Sequence, residues 1–412
     1  MFVFCPDFLL LPNGQLAPQK ALWTTELGEV IKITAINELE SMDNVGSTNI
    51  FIRKINGVLT PGFINAHCHL ELSHLKGVIP PGTGLPNFLL QITKNRQTNP
   101  DAQITAAQTA NQYMHERGIV AVGDISNGPE TFLLKSKTAI AYHTFIELLT
   151  PFGANLEQRT KAAINHGIDL YRQAQNLHLP ASLAPHAPYT ITGNLLTEII
   201  QFNAQNNPDF VTTVHNQECA AENELYLQGT GSFSDLYANL GTDILQYFTP
   251  PKISSIRFML QYIPKNTSVL WVHNTTTSAA DIKAAHAHTS NSFWCTCPNA
   301  NLYIEGLLPN YPNFIAQNAV ICVGTDSLAS NYELCILSEL KTITKYYPDI
   351  PLESLLIWAT ANGAKALKLS HRYGSFEVGK TPGLCQIYPI CQHPNGQLAL
   401  TAARSAQSVD LV

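Results

Sequence analysis

The chain has 412 residues, 45% hydrophobic and 13% charged, with a formal net charge of −6. It is long enough for one large domain plus a small one, and charge is scarce against the quarter or so usual in soluble proteins, so Asn, Gln, Ser and Thr must cover much of the surface. The acidic balance and scattered basic residues argue against nucleic acid and an anionic membrane as partners, and no run of about 18 apolar residues is present to span a bilayer.

The first seven residues, Met-Phe-Val-Phe-Cys-Pro-Asp, lack the basic start and small-residue cleavage site of a signal peptide. Residues 2–4, 8–11, 30–36, 51–55 and 58–59 read as short strands, with a turn at Pro12-Asn13-Gly14. An apolar run from Val58 to Ile64 leads to His67 and His69. In a strand, residues i and i+2 share a face, so both imidazoles can meet one metal ion. Two ordinary histidines on a half-buried strand are the rival reading.

From there strands and helices alternate. Residues 101–117 have helical spacing and end in Gly118, a natural cap. Strands are expected at 119–124, 140–149, 181–183, 211–214, 268–272, 292–294 and 318–323. Helices are expected at 156–176, 193–206, 254–263, 278–288, 334–345 and 352–367. Taking His67, Asp124, Glu147, His186, His215, His273, Cys297 and Asp326 as strand ends gives eight units. That count fits an α/β fold of the (β/α)8 TIM-barrel type, with its active site at the C-terminal ends of the strands. Residues 374–390 return to strand and turn, and 391–412 are strand-like or ragged. Both termini are therefore expected to form one small β-sandwich domain, 1–58 and 372–412, beside a barrel of 59–371. Nine cysteines without zinc-ribbon spacing read as mostly buried free thiols of a cytoplasmic protein.

The polar strand ends are informative as a set. His67 and His69 follow the first barrel strand, His215 the fifth, His273 the sixth and Asp326 the eighth. Neutral imidazoles with a carboxylate suit a borderline metal such as zinc, with one position left for water. They are too dispersed for a zinc finger or ribbon.

Pro61-Gly62-Phe63-Ile64-Asn65-Ala66-His67-Cys68-His69 resembles the first-strand signature of the amidohydrolase superfamily. The later pieces resemble its mononuclear deaminase branch, the chlorohydrolase and adenosine-type deaminases: His186-Ala187-Pro188-Tyr189-Thr190, His215-Asn216-Gln217-Glu218, Val272-His273-Asn274, Cys297-Pro298-Asn299-Ala300-Asn301-Leu302 and Gly324-Thr325-Asp326-Ser327. The resemblance runs from about residue 57 to 385. His-Cys-His-Leu-Glu-Leu-Ser is also similar to aminodeoxyfutalosine deaminases. The resemblance implies one divalent metal per chain, Zn2+ first and Fe2+ or Mn2+ as alternatives, bound by His67, His69, His215 and Asp326. It implies no carboxylated lysine, and residues 181–190 contain no lysine. It also implies that His186 contacts substrate. Two positions depart from the branch: Cys219 stands where Thr is common, and Gly383 stands where an Asp is usual near the end.

Hydrolytic deamination needs a nucleophile, a proton for the ring nitrogen and a proton for departing ammonia. Asp326 and His273 can take and orient a water proton, and a protonated Glu218 can donate to the ring. Glu71 and His74 can line the pocket from the first loop. Each has a plain rival: a solvated carboxylate for Glu218, a core histidine for His273, a helix cap for Asp326, packing for His186 and surface placement for Glu71. The expected function is deamination of an aminated heterocycle, adenine nucleoside-like. Dechlorination or cyclic-amide hydrolysis at the same centre is the alternative, and a silent binding protein is a third. A small-molecule substrate and a homodimer are the expected partners.

Overall fold

Eight short parallel strands carry the site: Phe63–Cys68, Ile119–Ser126, Ala141–Leu148, Ala181–Pro185, Val211–Asn216, Ser268–His273, Ser292–Thr296 and Val320–Val323. The computed structural model describes residues 1–40, 50–289, 291–392, 398–400, 403 and 405–409. The first, fifth and sixth barrel strands are buried at every position. Helices cover the sheet outside while a second core fills it inside, so even Asn65, Thr212, Thr213 and Ser268 are buried. Ile64, Ala66, Ala121, Phe145, Leu270, Val272 and Cys295 belong to the inner core. Phe63, Val122, Ile146, Trp271 and Trp294 belong to the larger core shared with the helices.

The strands pair in order within two groups of four. At one seam Cys68 bridges Asp326 in parallel, and the amides of Thr325 and Asp326 donate to the His67 carbonyl at 3.0 and 3.1 Å. At the other, the His215 amide donates to the His186 carbonyl at 2.9 Å and the Ser182 hydroxyl to the Val211 carbonyl at 2.7 Å. The chain therefore forms the expected (β/α)8 barrel.

Strands from both ends of the chain pair in one further sheet. This seven-stranded sheet runs Ser405–Ser408, Leu384–Tyr388, Phe51–Pro61, Phe2–Leu10, Lys20–Thr24 and Val30–Ala35, with Leu16–Pro18 attached to Phe2–Leu10. A two-stranded ribbon, Cys391–Gln392 with Leu398–Ala399, accompanies it. Residues 2–4 and 8–11, expected as two strands, are one. The register shifts between Pro6 and Phe8, and the intervening Asp7 is satisfied by the Gly57 amide, which donates to Oδ2 at 2.6 Å. Of the expected ragged tail, 393–397, 401–402, 404 and 410–412 lie outside the described residues.

The loops over the barrel mouth hold structure that periodicity did not reveal. The 3-10 turn Leu70–Leu75 and the helices Leu85–Asn95, Ala220–Gln228 and Ser232–Asn239 meet in a separate apolar cluster with Leu72, Leu85, Phe88, Tyr189, Tyr226 and Phe233. Tyr189 and Phe233 stack with ring centroids 4.0 Å apart. Among the described residues no helix is long and apolar enough to cross a membrane. All nine cysteines are free, and all but Cys5 and Cys391 are buried.

Candidate metal and catalytic centre

His67 and His69 reach the barrel mouth by an irregular route. Ile64 and Ala66 face the inner core, so strict alternation would turn His67 toward the helices. The register slips between Asn65 and Cys68, which re-aims the side chains as a bulge does. Cys68 consequently packs in the outer core. The strand ends there, and His69 heads the turn Leu70–Leu75 with φ −121° and ψ 79°. The two imidazoles thus meet across a bend and not along one strand face, with their Nε2 atoms 3.2 Å apart.

The other donors converge on the same point. His69 Nε2 lies 3.2 Å from His215 Nε2. Asp326 Oδ1 stands 3.4 Å from His69 Nε2 and 3.5 Å from His67 Nε2. Asp326 has φ +56° and His273 +71°, a left-handed backbone that non-glycine residues adopt at a cost of order 1–3 kcal/mol. Asp326 is held there by the His67 carbonyl and by the Ser330 hydroxyl, which donates to Oδ2.

This donor set fits a cation. The His215 Nδ1 proton goes to the His186 carbonyl at 2.8 Å, which leaves a lone pair on Nε2. Burial lowers the His67 pKa to about 4 and puts that of His69 well below the usual imidazole range. Burial opposes the Asp326 charge, but the adjacent imidazoles of His67, His69 and His273 outweigh it and hold that carboxyl well below normal. Neutral ring nitrogens and a carboxylate crowded within hydrogen-bond range have too few protons to satisfy one another. A metal ion would satisfy them all.

Two further groups face this centre. His273 Nδ1 lies 2.8 Å from Asn301 Oδ1, which places its proton on Nδ1 and frees Nε2. That Nε2 sits 3.6 Å from Glu218 Oε1 and joins His67 and Asp326 in one donor group. Burial pushes the Glu218 carboxyl well above the usual carboxylate range, which favours its protonated form. Glu218 follows Gln217, whose φ of +45° turns the chain back over the mouth. The next residue, Cys219, helps line a cavity of about 520 Å3 together with Ala220, Leu236, Glu305 and Thr83, a cavity whose walls include none of the converging donors.

His186 is half-buried; its Nδ1 pairs with the Thr190 hydroxyl at 2.7 Å, and burial lowers its pKa to about 4. Glu71 does not stand alone in the pocket. It forms an ion pair with Arg96 and accepts the Asn127 amide at 3.0 Å, while burial raises its pKa to about 7. His74 turns back to the Glu71 and Arg96 carbonyls at 3.1 and 3.2 Å.

Several supporting residues were given no role by the sequence, although Asp124 and Glu147 were marked as strand ends. Asp124 and Lys135 form an ion pair with both side chains fully buried, and Asp124 also accepts the Leu70 amide at 2.8 Å, beside His69. Glu339, wholly buried, accepts from the Asn299 amide at 2.8 Å and from Asn331 Nδ2 at 2.7 Å, which ties the short helix bearing Asn301, Pro298–Ile304, to the loop that follows Asp326. Glu147 stands behind His215 with Oε1 3.5 Å from Nδ1. Burial opposes its charge, but His186, His215 and His69 bring its pKa to about 2.

Residues 58–397 match the model of the amidohydrolase family. An adenosine deaminase of Helicobacter pylori is 29% identical over 338 residues, spanning 80% of this chain and 78% of its own. The crystal structure of Helicobacter pylori aminofutalosine deaminase with methylthio-coformycin has a TM-score of 0.79 at 24% identity, covering 93% of this chain and 91% of that one. An adenosine deaminase of Xanthomonas campestris with bound zinc has a TM-score of 0.70 at 19% identity, covering 93% and 84%.

Proposed function

The chain belongs to the amidohydrolase family, and from that premise we propose that it is a hydrolytic deaminase of an adenine nucleoside-like substrate. The observation that carries the reading is the convergence of three imidazoles and a carboxylate beside a protonated carboxyl, Glu218, and a basic imidazole nitrogen, His273 Nε2. The deaminases named above, one of them holding methylthio-coformycin, support a purine nucleoside frame.

A divalent ion held by His67, His69, His215 and Asp326, Zn2+ by preference and Fe2+ or Mn2+ otherwise, would supply a Lewis acid able to bring the pKa of water from about 15.7 to about 7. The chain's own residues move the protons. Glu218 donates its proton to the ring nitrogen beside the amino-bearing carbon, which makes that carbon electrophilic. His273 Nε2 and Asp326 accept one proton of the attacking water and pass it to the departing amine, which leaves as ammonia; as the carbonyl forms, the remaining hydroxyl proton goes back to Glu218. Asn301 keeps the His273 proton on Nδ1 throughout. The apolar cluster over the mouth excludes bulk water, which keeps the Glu218 carboxyl neutral. His186 and Glu71 are proposed as substrate contacts; the partial exposure of His186 supports its role, and the Arg96 ion pair limits Glu71 to the edge of the pocket.

Purified protein incubated with adenosine, 5′-methylthioadenosine and aminodeoxyfutalosine should release one equivalent of ammonia from at least one of them and contain about one divalent ion per chain. Absence of ammonia release from any purine nucleoside by the metal-loaded protein overturns the reading.

A further inference from the structure

Glu147 takes no part in the steps above, yet it occupies an unusual position. It sits near the end of the third barrel strand and is buried. Its Oε2 accepts Asn127 Nδ2 at 3.0 Å. Its Oε1 is sealed from solvent and has no hydrogen-bond donor, because the nearby His215 Nδ1 gives its proton to the His186 carbonyl instead. A buried carboxylate oxygen without a donor is costly unless a positive charge stands close by. Among the described residues Glu147 makes no ion pair with a lysine or arginine. Arg96 reaches Asn127 at 2.6 Å and pairs with Glu71, one residue short of it. Glu147, His186 and His215 bring their donor atoms within 4.8 Å of one another, so the missing charge belongs on the far side of the His215 ring, where the other donors converge.

We propose that Glu147 is a positioning residue of the metal centre, supplying the second negative charge that balances a divalent ion and holding the His215 ring toward it. This rests on the metal-binding reading above. The charges then close. The ion brings +2, Asp326 and Glu147 bring −1 each, the imidazoles are neutral, and Glu218 carries its proton. Asn127, Arg96 and Glu71 form the polar chain that fixes Glu147 from behind, as outer-shell partners fix ligands in other metal sites.

The test compares metal retention with the stability of the metal-free protein. Wild-type protein is first titrated with Zn2+ against a chelator; a chain that binds no divalent ion overturns the metal reading and this one with it. Glu147→Gln should then hold Zn2+ roughly 10- to 100-fold more weakly. Its metal-free form should still unfold cooperatively and close to wild type, because the amide keeps the size of the carboxylate and can still accept from Asn127. Glu147→Asp, which keeps the charge, should fall between the two in affinity. Wild-type affinity in Glu147→Gln overturns the proposal, as does a Glu147→Asp no better than Gln, or a metal-free Glu147→Gln that no longer unfolds cooperatively.

Discussion

Replacing Glu218 by Gln isolates the proton that the carboxyl is thought to deliver. The side chain is 5% exposed and stands 3.6 Å from His273 Nε2. Burial raises its pKa well above the usual carboxylate range, so wild type already presents a neutral side chain of the same size near neutral pH. The swap changes neither charge nor packing there, and folding stability should stay within about 1 kcal/mol. A general acid contributes roughly 10²- to 10⁴-fold, so kcat should fall by that factor, about 3 to 5.5 kcal/mol in activation free energy. KM should change little, since the amide still occupies the same space. The sign of the pH dependence follows: the donor form is lost as pH rises through the raised pKa, so wild-type activity falls on the alkaline side. Ammonia release under saturating substrate, measured across pH at constant metal content, is the assay. A variant within threefold of wild-type kcat at neutral pH would refute the role.

Three further outcomes test the surrounding architecture. Asn301→Ala removes the acceptor on His273 Nδ1; kcat should drop roughly 10- to 100-fold with metal content unchanged, and an unaltered kcat would show that the ring needs no such partner. Lys135→Met strands the buried Asp124 carboxylate; urea unfolding should show a loss of about 3–5 kcal/mol, and a loss under 1 kcal/mol would contradict a charged pair. His143 is buried in the barrel wall, where burial lowers its pKa from 6.5 to about 4. The unfolded chain takes up that proton first, so stability falls as pH descends from about 6.5 to about 4, by about 3 kcal/mol for this group. His143→Gln should remove that part of the acid sensitivity in denaturant titrations at the two pH values, and an unchanged difference would contradict the assignment.

The barrel was legible because each strand is a short apolar run followed by a polar residue and then a helix-period segment. Leu156–Asn176 and Gly193–Asn206 coincide with the expected helices, where regular periodicity and a Thr cap before Gly193 leave little choice. The mouth was not legible. The helices Ala220–Gln228 and Ser232–Asn239 bury their apolar residues against the first loop and not against the barrel, so their pattern has meaning only once distant segments meet. Glu71 carried a plausible motif position, but its partner Arg96 lies 25 residues away and no local rule links them.

By itself the sequence determined which side chains stand at the strand ends, since apolar runs of barrel length leave only a few polar residues at the mouth. Tertiary structure decided what those residues do there. The slip between Asn65 and Cys68 turns His67 inward. The His186 carbonyl, 29 residues upstream of His215, orients that ring. Burial at the mouth raises the pKa of the Glu218 carboxyl, and Glu147 faces His215 from a different strand. Aim, protonation and counter-charge are properties of contacts between segments far apart in the chain, and they come into existence only when the barrel closes.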